Sequence, residues 1–194
     1  MGGGFIFDPR FVEAFQNRQH IVLGQSLLPF SLWHKFQLEV ADSPLMLGES
    51  IAFDDLWLAV LVCQTKFPEI ASIPQTRWAR YRRVWLSTAY RLKKEVAAFD
   101  AYCADFASPP RILTKTGDSG ATPEIDDSLR EAAFYRKMTG CPRNEPWDLP
   151  MGEVLWMNAV FAKHDGAEFS VLTPMDDEAL ARMRAKAAEE NGQT

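Results

Sequence analysis

Apolar residues keep a helical beat along most of this chain. The longest stretch is residues 76–106, TRWARYRRVWLSTAYRLKKEVAAFDAYCADF, which holds neither proline nor glycine. Trp85, Ala89, Leu92, Val96, Phe99, Cys103 and Phe106 recur in alternating steps of four and three. That spacing places side chains in one stripe on a helix. One uninterrupted helix of this size is about 45 Å long, long enough to be the wall on which shorter helices pack. The expected fold is mainly α: a multi-helix bundle around this one long central helix, 76–106.

Shorter elements flank it. Asp8 and Pro9 open a first helix over 9–17. HIVLGQSLL (20–28) is β-branched and broken by Gly24, which predicts extended chain with a minor β-hairpin. Ser31 caps a helix over 32–41, with Lys35 and Glu39 as an i,i+4 pair. Residues 45–50 read as a loop. Asp54 and Asp55 open a third helix, 54–65, whose run 56–63 is apolar nearly all round and so central. Thr76 caps the long helix, and Ser108-Pro109-Pro110 stop it.

Residues 111–122 hold two glycines and few apolar positions, the signature of a linker or exposed loop. Asp126 and Asp127 then cap a helix to Thr139, closed by Gly140. Pro142, Pro146 and Pro150 keep 141–150 irregular, and a helix over 151–164 follows. Residues 168–172 are extended, and Thr173-Pro174 open a last helix with a thin apolar face. The division is an N-terminal helical domain (1–107), a linker or loop (108–125) and a C-terminal helical segment (126–194).

Composition narrows the class. Hydrophobic residues make up 47% of the chain, with six Trp and thirteen Phe, ample for a buried core. A net charge of −5 opposes bulk binding to a phosphate backbone. Cys63, Cys103 and Cys141 form no CxxC pair, so they read as reduced packing residues. No apolar run reaches the roughly 20 residues that cross a bilayer. The opening MGGGFIFDPR lacks a basic segment ahead of an apolar one. The expectation is a soluble, cytoplasmic protein.

Chemistry is sparse. The doublets Asp54-Asp55, Asp126-Asp127 and Asp176-Asp177 each precede a predicted helix, where capping accounts for them. His20, His34 and His164 form no HExxH or i,i+4 pair. GxGxxG, Walker and GxSxG motifs are absent. No catalytic residue, metal site or cofactor is expected, and the chain reads as non-enzymatic.

Two features keep a binding role open. Arg77, Arg80, Arg83, Arg91 and Lys94 are interleaved with Trp78, Tyr81 and Trp85. They form either a phosphate-binding face or, the preferred reading, the solvated side of an amphipathic helix. Trp147, on the proline-stiffened NEPWDLP segment, either anchors that loop beside Trp156 or docks another chain.

Several motifs occur together: LPFSLWH (28–34), Asp42-Ser43-Pro44, FDDLWLA (53–59), WDLPMGEVLW (147–156) and Asp165-Gly166-Ala167. Together they resemble the tail assembly chaperones of tailed bacteriophages. The resemblance implies a mostly helical protein of the host cytoplasm that keeps the apolar, helical tape-measure protein soluble. Its partner would be that protein or the tube protein, with homo-oligomerisation compatible and no catalytic residues to carry over. A holdase of this kind needs exposed aromatic surface, for which Trp78, Tyr81, Trp147, Trp156 and the last helix are the candidates. The alternatives are a structural virion component, connector or tail-completion protein, and a nucleic-acid-binding regulator using the basic helix.

Overall fold

A computed structural model describes residues 18–73, 76–110, 112–114, 126–172, 176, 178, 179 and 181–183. The expected first helix (9–17) and most of the expected linker lie outside these residues. Strands β1 (Ile21–Val22) and β2 (Gln25–Ser26) precede helices α1 (Leu32–Val40), α2 (Pro44–Leu47), α3 (Phe53–Val62), α4 (Arg77–Ala89) and α5 (Leu92–Phe106). Then come β3 (Ile112–Thr114), α6 (Asp127–Thr139), α7 (Glu145–Asp148), α8 (Met151–His164) and β4 (Phe169–Val171). The chain is mainly helical with a minor hairpin, as the periodicity predicts. Of the last expected helix, Asp176, Glu178, Ala179 and residues 181–183 are helical. Two short stretches differ: α2 occupies the start of the 45–50 loop, and α7 puts one helical turn into 141–150.

Both arms of the hairpin fall inside 20–28, paired Ile21 to Ser26 and Val22 to Gln25. Its two turn residues, Leu23 and Gly24, have φ of 50° and 68°. This left-handed pair suits a two-residue hairpin turn. It is ordinary for glycine and uncommon for leucine. Leu23 is fully buried, and its N–H donates to Glu95 Oε2 on α5 at 2.6 Å. A Cβ at Gly24 would stand 2.6 Å from Tyr90 Oη. Gly24→Ala is therefore expected to cost about 1–2 kcal/mol from the left-handed backbone alone, with a further loss from the Tyr90 contact. Urea unfolding of Gly24→Ala in the Tyr90→Phe background should recover the second part. Strict additivity of the two substitutions would refute the contact.

The expected single rod over 76–106 is two helices. Tyr90 (φ −114°, ψ 144°) and Arg91 (φ −84°, ψ 107°) leave the helical region between them. Two hydroxyls turn back on the helix just upstream. Ser87 Oγ donates to the Val84 carbonyl at 2.8 Å, and Thr88 Oγ1 to the Trp85 carbonyl at 2.9 Å. Such back-bonding competes with the helical ladder and bends or ends it. Past the break the seam reappears on α5, where Phe99, Tyr102 and Phe106 are buried.

The core gathers where α3, α5 and α8 meet the extended segment 27–31. As expected for a helix apolar all round, α3 buries Leu56, Trp57, Ala59, Val60 and Val62. The segment is stitched in by backbone bonds: Leu28 N–H to the Cys63 carbonyl (3.0 Å) and Met151 N–H to the Phe30 carbonyl (2.8 Å). Tyr102 Oη donates to the Leu28 carbonyl at 2.7 Å. One core thus takes side chains from both sides of residues 108–125, including Phe30, Val60, Phe99 and Val154. β3 pairs antiparallel with β4, so residues 112–114 are strand within the stretch read as linker. Capping follows the sequence signals. The Asp126 side chain accepts from Leu129 N–H (3.0 Å), Asp55 from Ala52 N–H (2.8 Å) and Thr76 from Ala79 N–H (3.2 Å). Gly140 closes α6 with φ 68°.

Candidate functional site

At 3.6 residues per turn, α4 has two distinct sides. Ala79, Arg82, Arg83 and Leu86 share one, and Arg77, Arg80, Tyr81, Val84, Trp85 and Thr88 share the other. Leu86 is buried, so the first side faces the protein. Arg82 reaches Gln25 Oε1 at 2.6 Å and stands 5.9 Å over the Trp57 ring, while Arg83 forms a two-pronged pair with Asp54. The second side faces solvent, with Tyr81, Val84 and Trp85 exposed by 64%, 63% and 52%. Arg82 and Arg83 thus lie on the side of Leu86, while Tyr81, Val84 and Trp85 lie out beside Arg77 and Arg80. Trp85, expected in the buried stripe, is on the outside because the break at Tyr90 separates its phase from that of α5.

This geometry redistributes the expected basic face. Arg77 and Arg80 are exposed on the outer side, and neither pairs with a carboxylate among the described residues. Arg83 is spent on Asp54 and does not join them. Arg91 occupies the N-cap position of α5 without a side-chain capping bond, and Lys94 lies exposed in its first turn, both beyond the break. The five residues do not form one continuous face.

The expected aromatic surface also divides. Tyr81 and the backbone of Trp78 lie on α4. Trp147 and Trp156 are buried, so neither is exposed docking surface. The Trp147 ring stacks on Phe67 (centroids 5.7 Å apart, 9° between planes) and meets Trp33 edge-on at 5.9 Å. Trp156 Nε1–H donates to the Ser108 carbonyl at 2.9 Å. The packing supports anchoring for Trp147, with Phe67, Trp33 and Phe36 as its ring neighbours in place of the expected Trp156.

Ionisable groups inside the fold are tied to backbone. His34 Nε2–H donates to the Thr65 carbonyl at 2.8 Å, and His34 Nδ1 accepts from Ser31 N–H at 3.2 Å. A carbonyl can only accept, so the proton sits on Nε2 and both ring nitrogens are used. Burial pushes the imidazole below its ordinary value, against smaller raising effects of the Thr65 bond, the Asp148 charge and the Pro29 backbone. The unfolded chain therefore takes up the proton first as pH falls. His34 supports the fold fully above the ordinary imidazole value, and that support is lost as pH drops through the folded-state value. Stability should decline below about pH 6.5, by no more than about 1.4 kcal/mol per pH unit from this group. Urea midpoints across this range should lose that slope in His34→Gln. An unchanged slope would refute the assignment.

Cys63 is fully buried and its thiol is pushed up to about 12 by desolvation, and burial also raises Cys103. Neither has the low thiol value of a reactive cysteine. Glu153 is raised by burial and by Glu145. A cleft of about 380 Å³ between α6 and α8 is lined by Pro109, Phe134, Leu155 and Ala159, with Arg130, Glu131 and Asn158 on its polar wall. Arg130 pairs with Asp127 at 2.8 Å and Asn158 Nδ2–H donates to Glu131 Oε2 at 2.7 Å, while the buried Asn158 Oδ1 meets no donor among the described residues. Among the described residues, no three His, Cys, Asp or Glu side chains are grouped to hold a metal ion. No helix there is long and apolar enough to cross a membrane. No family model, curated protein or solved structure matches the chain.

Proposed function

We propose that this protein is a non-enzymatic binding protein that holds an apolar helical client on the outer face of α4. In a tailed phage that is the work of a tail assembly chaperone, its client the tape-measure protein. The support is the exposed apolar cluster on the outer side of α4. An isolated exposed apolar residue is ordinary, but Tyr81, Val84 and Trp85 lie within one helical turn. A helix face of this kind takes up another helix through anchors at i, i+3 and i+4. Arg77 and Arg80 border the seam and favour a client helix with acidic residues on its flank.

The test is co-expression of the full chain with the tape-measure protein encoded in the same genome, followed by pull-down. Wild type should keep the client in solution. Val84→Glu with Trp85→Glu should release it, since losing an interface anchor costs about 2 kcal/mol or more, some 30-fold in affinity. Retained binding by that variant would exclude α4 as the docking face. A protein that closes into rings by itself and ignores the client would favour the virion-component alternative.

A further inference from the structure

A second surface, sharing no residue with α4, carries its own chemistry. Where α6 passes α7, a notch of about 160 Å³ is lined by Phe67, Trp147, Pro146 and Leu129, with Arg136 and Arg143 among its walls. Drug-sized and cofactor pockets run to about 300–1,000 Å³, so this one suits a single side chain. Its floor is held firmly: Phe67 stacks on Trp147, and Phe67 N–H donates to Asp148 Oδ1 at 2.9 Å. Leu129 is half exposed at the rim. The Arg143 guanidinium stands 6.0 Å from the Phe67 ring centroid. Arg136 and Arg143 are both exposed, and neither meets a carboxylate among the described residues. In a chain of net charge −5, two arginines without a carboxylate beside an apolar notch make a local positive field.

We propose that this notch docks an acidic peptide segment of a partner protein. One leucine- or phenylalanine-sized side chain sits against Phe67, Leu129 and Pro146, and a neighbouring carboxylate is held by Arg136 and Arg143. Guanidinium groups match carboxylates with two parallel hydrogen bonds. The cation–π contact places Arg143 before the ligand arrives, which reduces the ordering cost of binding. Nucleic acid fits less well. Base stacking needs an open aromatic face, and Trp147 is buried, with Phe67 stacked upon it.

The probe is a fluorescein-labelled peptide of alternating glutamate and leucine, titrated against the full chain by fluorescence polarisation beside its glutamine–leucine counterpart. The glutamate peptide should bind, weaken with added salt, and exceed the glutamine peptide by about tenfold, one charge pair's worth. Arg136→Glu with Arg143→Glu should remove that tenfold while the chain stays folded by circular dichroism, whereas Arg77→Glu with Arg80→Glu should keep it. Equal binding of the two peptides would overturn the proposal. So would loss only in the α4 variant, which would place the peptide on the other surface. Stronger binding of an oligothymidine, lost in the Arg136/Arg143 variant, would make the notch a nucleic-acid contact instead. A homodimer seen by light scattering and split by that variant would make a second copy the occupant.

Discussion

Trp147→Ala is expected to lower the unfolding free energy by about 3–5 kcal/mol, the range for losing a buried aromatic side chain. Trp147 joins three segments far apart in the chain. It sits on α7, stacks on Phe67 from the loop after α3, and meets Trp33 and Phe36 of α1 edge-on at 5.9 and 6.0 Å. Removing it leaves a cavity at that junction. The neighbours have little freedom to fill it, because Trp33 Nε1–H is bonded to the Glu69 carbonyl at 2.8 Å and Phe67 is tied to Asp148. The urea midpoint measures the effect, and Trp147→Phe should retain much of the stability. A loss below about 1 kcal/mol, the range of surface positions, would mean that the aromatic cluster does not hold α7 in place.

Glu95→Ala is expected to cost about 2–3 kcal/mol, and Glu95→Gln about 1 kcal/mol, the difference between a charged and a neutral acceptor. Glu95 is a buried carboxylate on α5 that accepts the Leu23 N–H. A hydrogen bond to a charged group contributes about 1.5–3 kcal/mol, and an abandoned buried donor costs a similar amount. Glutamine retains an acceptor oxygen at the same reach, so it keeps the bond and loses only the charge. Hydrogen exchange at the Leu23 amide should rise in the alanine variant and remain slow in the glutamine one. Equal effects of both substitutions would show that the carboxylate's charge, rather than this hydrogen bond, matters there.

Much of the fold was legible because local signals agreed with tertiary need. α8 coincides with its predicted bounds, the caps at Ser31, Thr76 and Asp126 are in place, and α3 is the buried helix its composition demands. The hairpin was legible in part, since Gly24 marked the turn, but the left-handed Leu23 beside it depends on Glu95, 72 positions away. The break at Tyr90 is hidden in the apolar pattern, whose steps of four and three run on from Trp85 to Phe106. Its signal was present in Ser87-Thr88, whose hydroxyls turn back on the helix. The break carries into the site. With α4 phased separately, Leu86 and Ala79 are the inward apolar positions and Trp85 falls outside. Trp147 shows the opposite limit: its loop chemistry was visible, but the aromatic partners that bury it are spread between Trp33 and Phe67. The Arg136/Arg143 notch left no sequence signal, because α6, α7 and the loop carrying Phe67 converge only in three dimensions.

The thinness of the seam beneath α4 sets how the protein responds to its surroundings. Among the described residues, the ties of this helix to the rest include buried Leu86, the Arg82 hydrogen bond to Gln25 with its guanidinium over Trp57, and the exposed Arg83–Asp54 pair. Exposed ion pairs contribute about 0–1 kcal/mol and fade as salt rises. Detaching α4 therefore costs far less than dismantling the core, which places it among the parts that open before the whole molecule melts. Raising the ionic strength should weaken the Arg83–Asp54 pair, so hydrogen exchange along α4 is expected to rise with salt before that of the core.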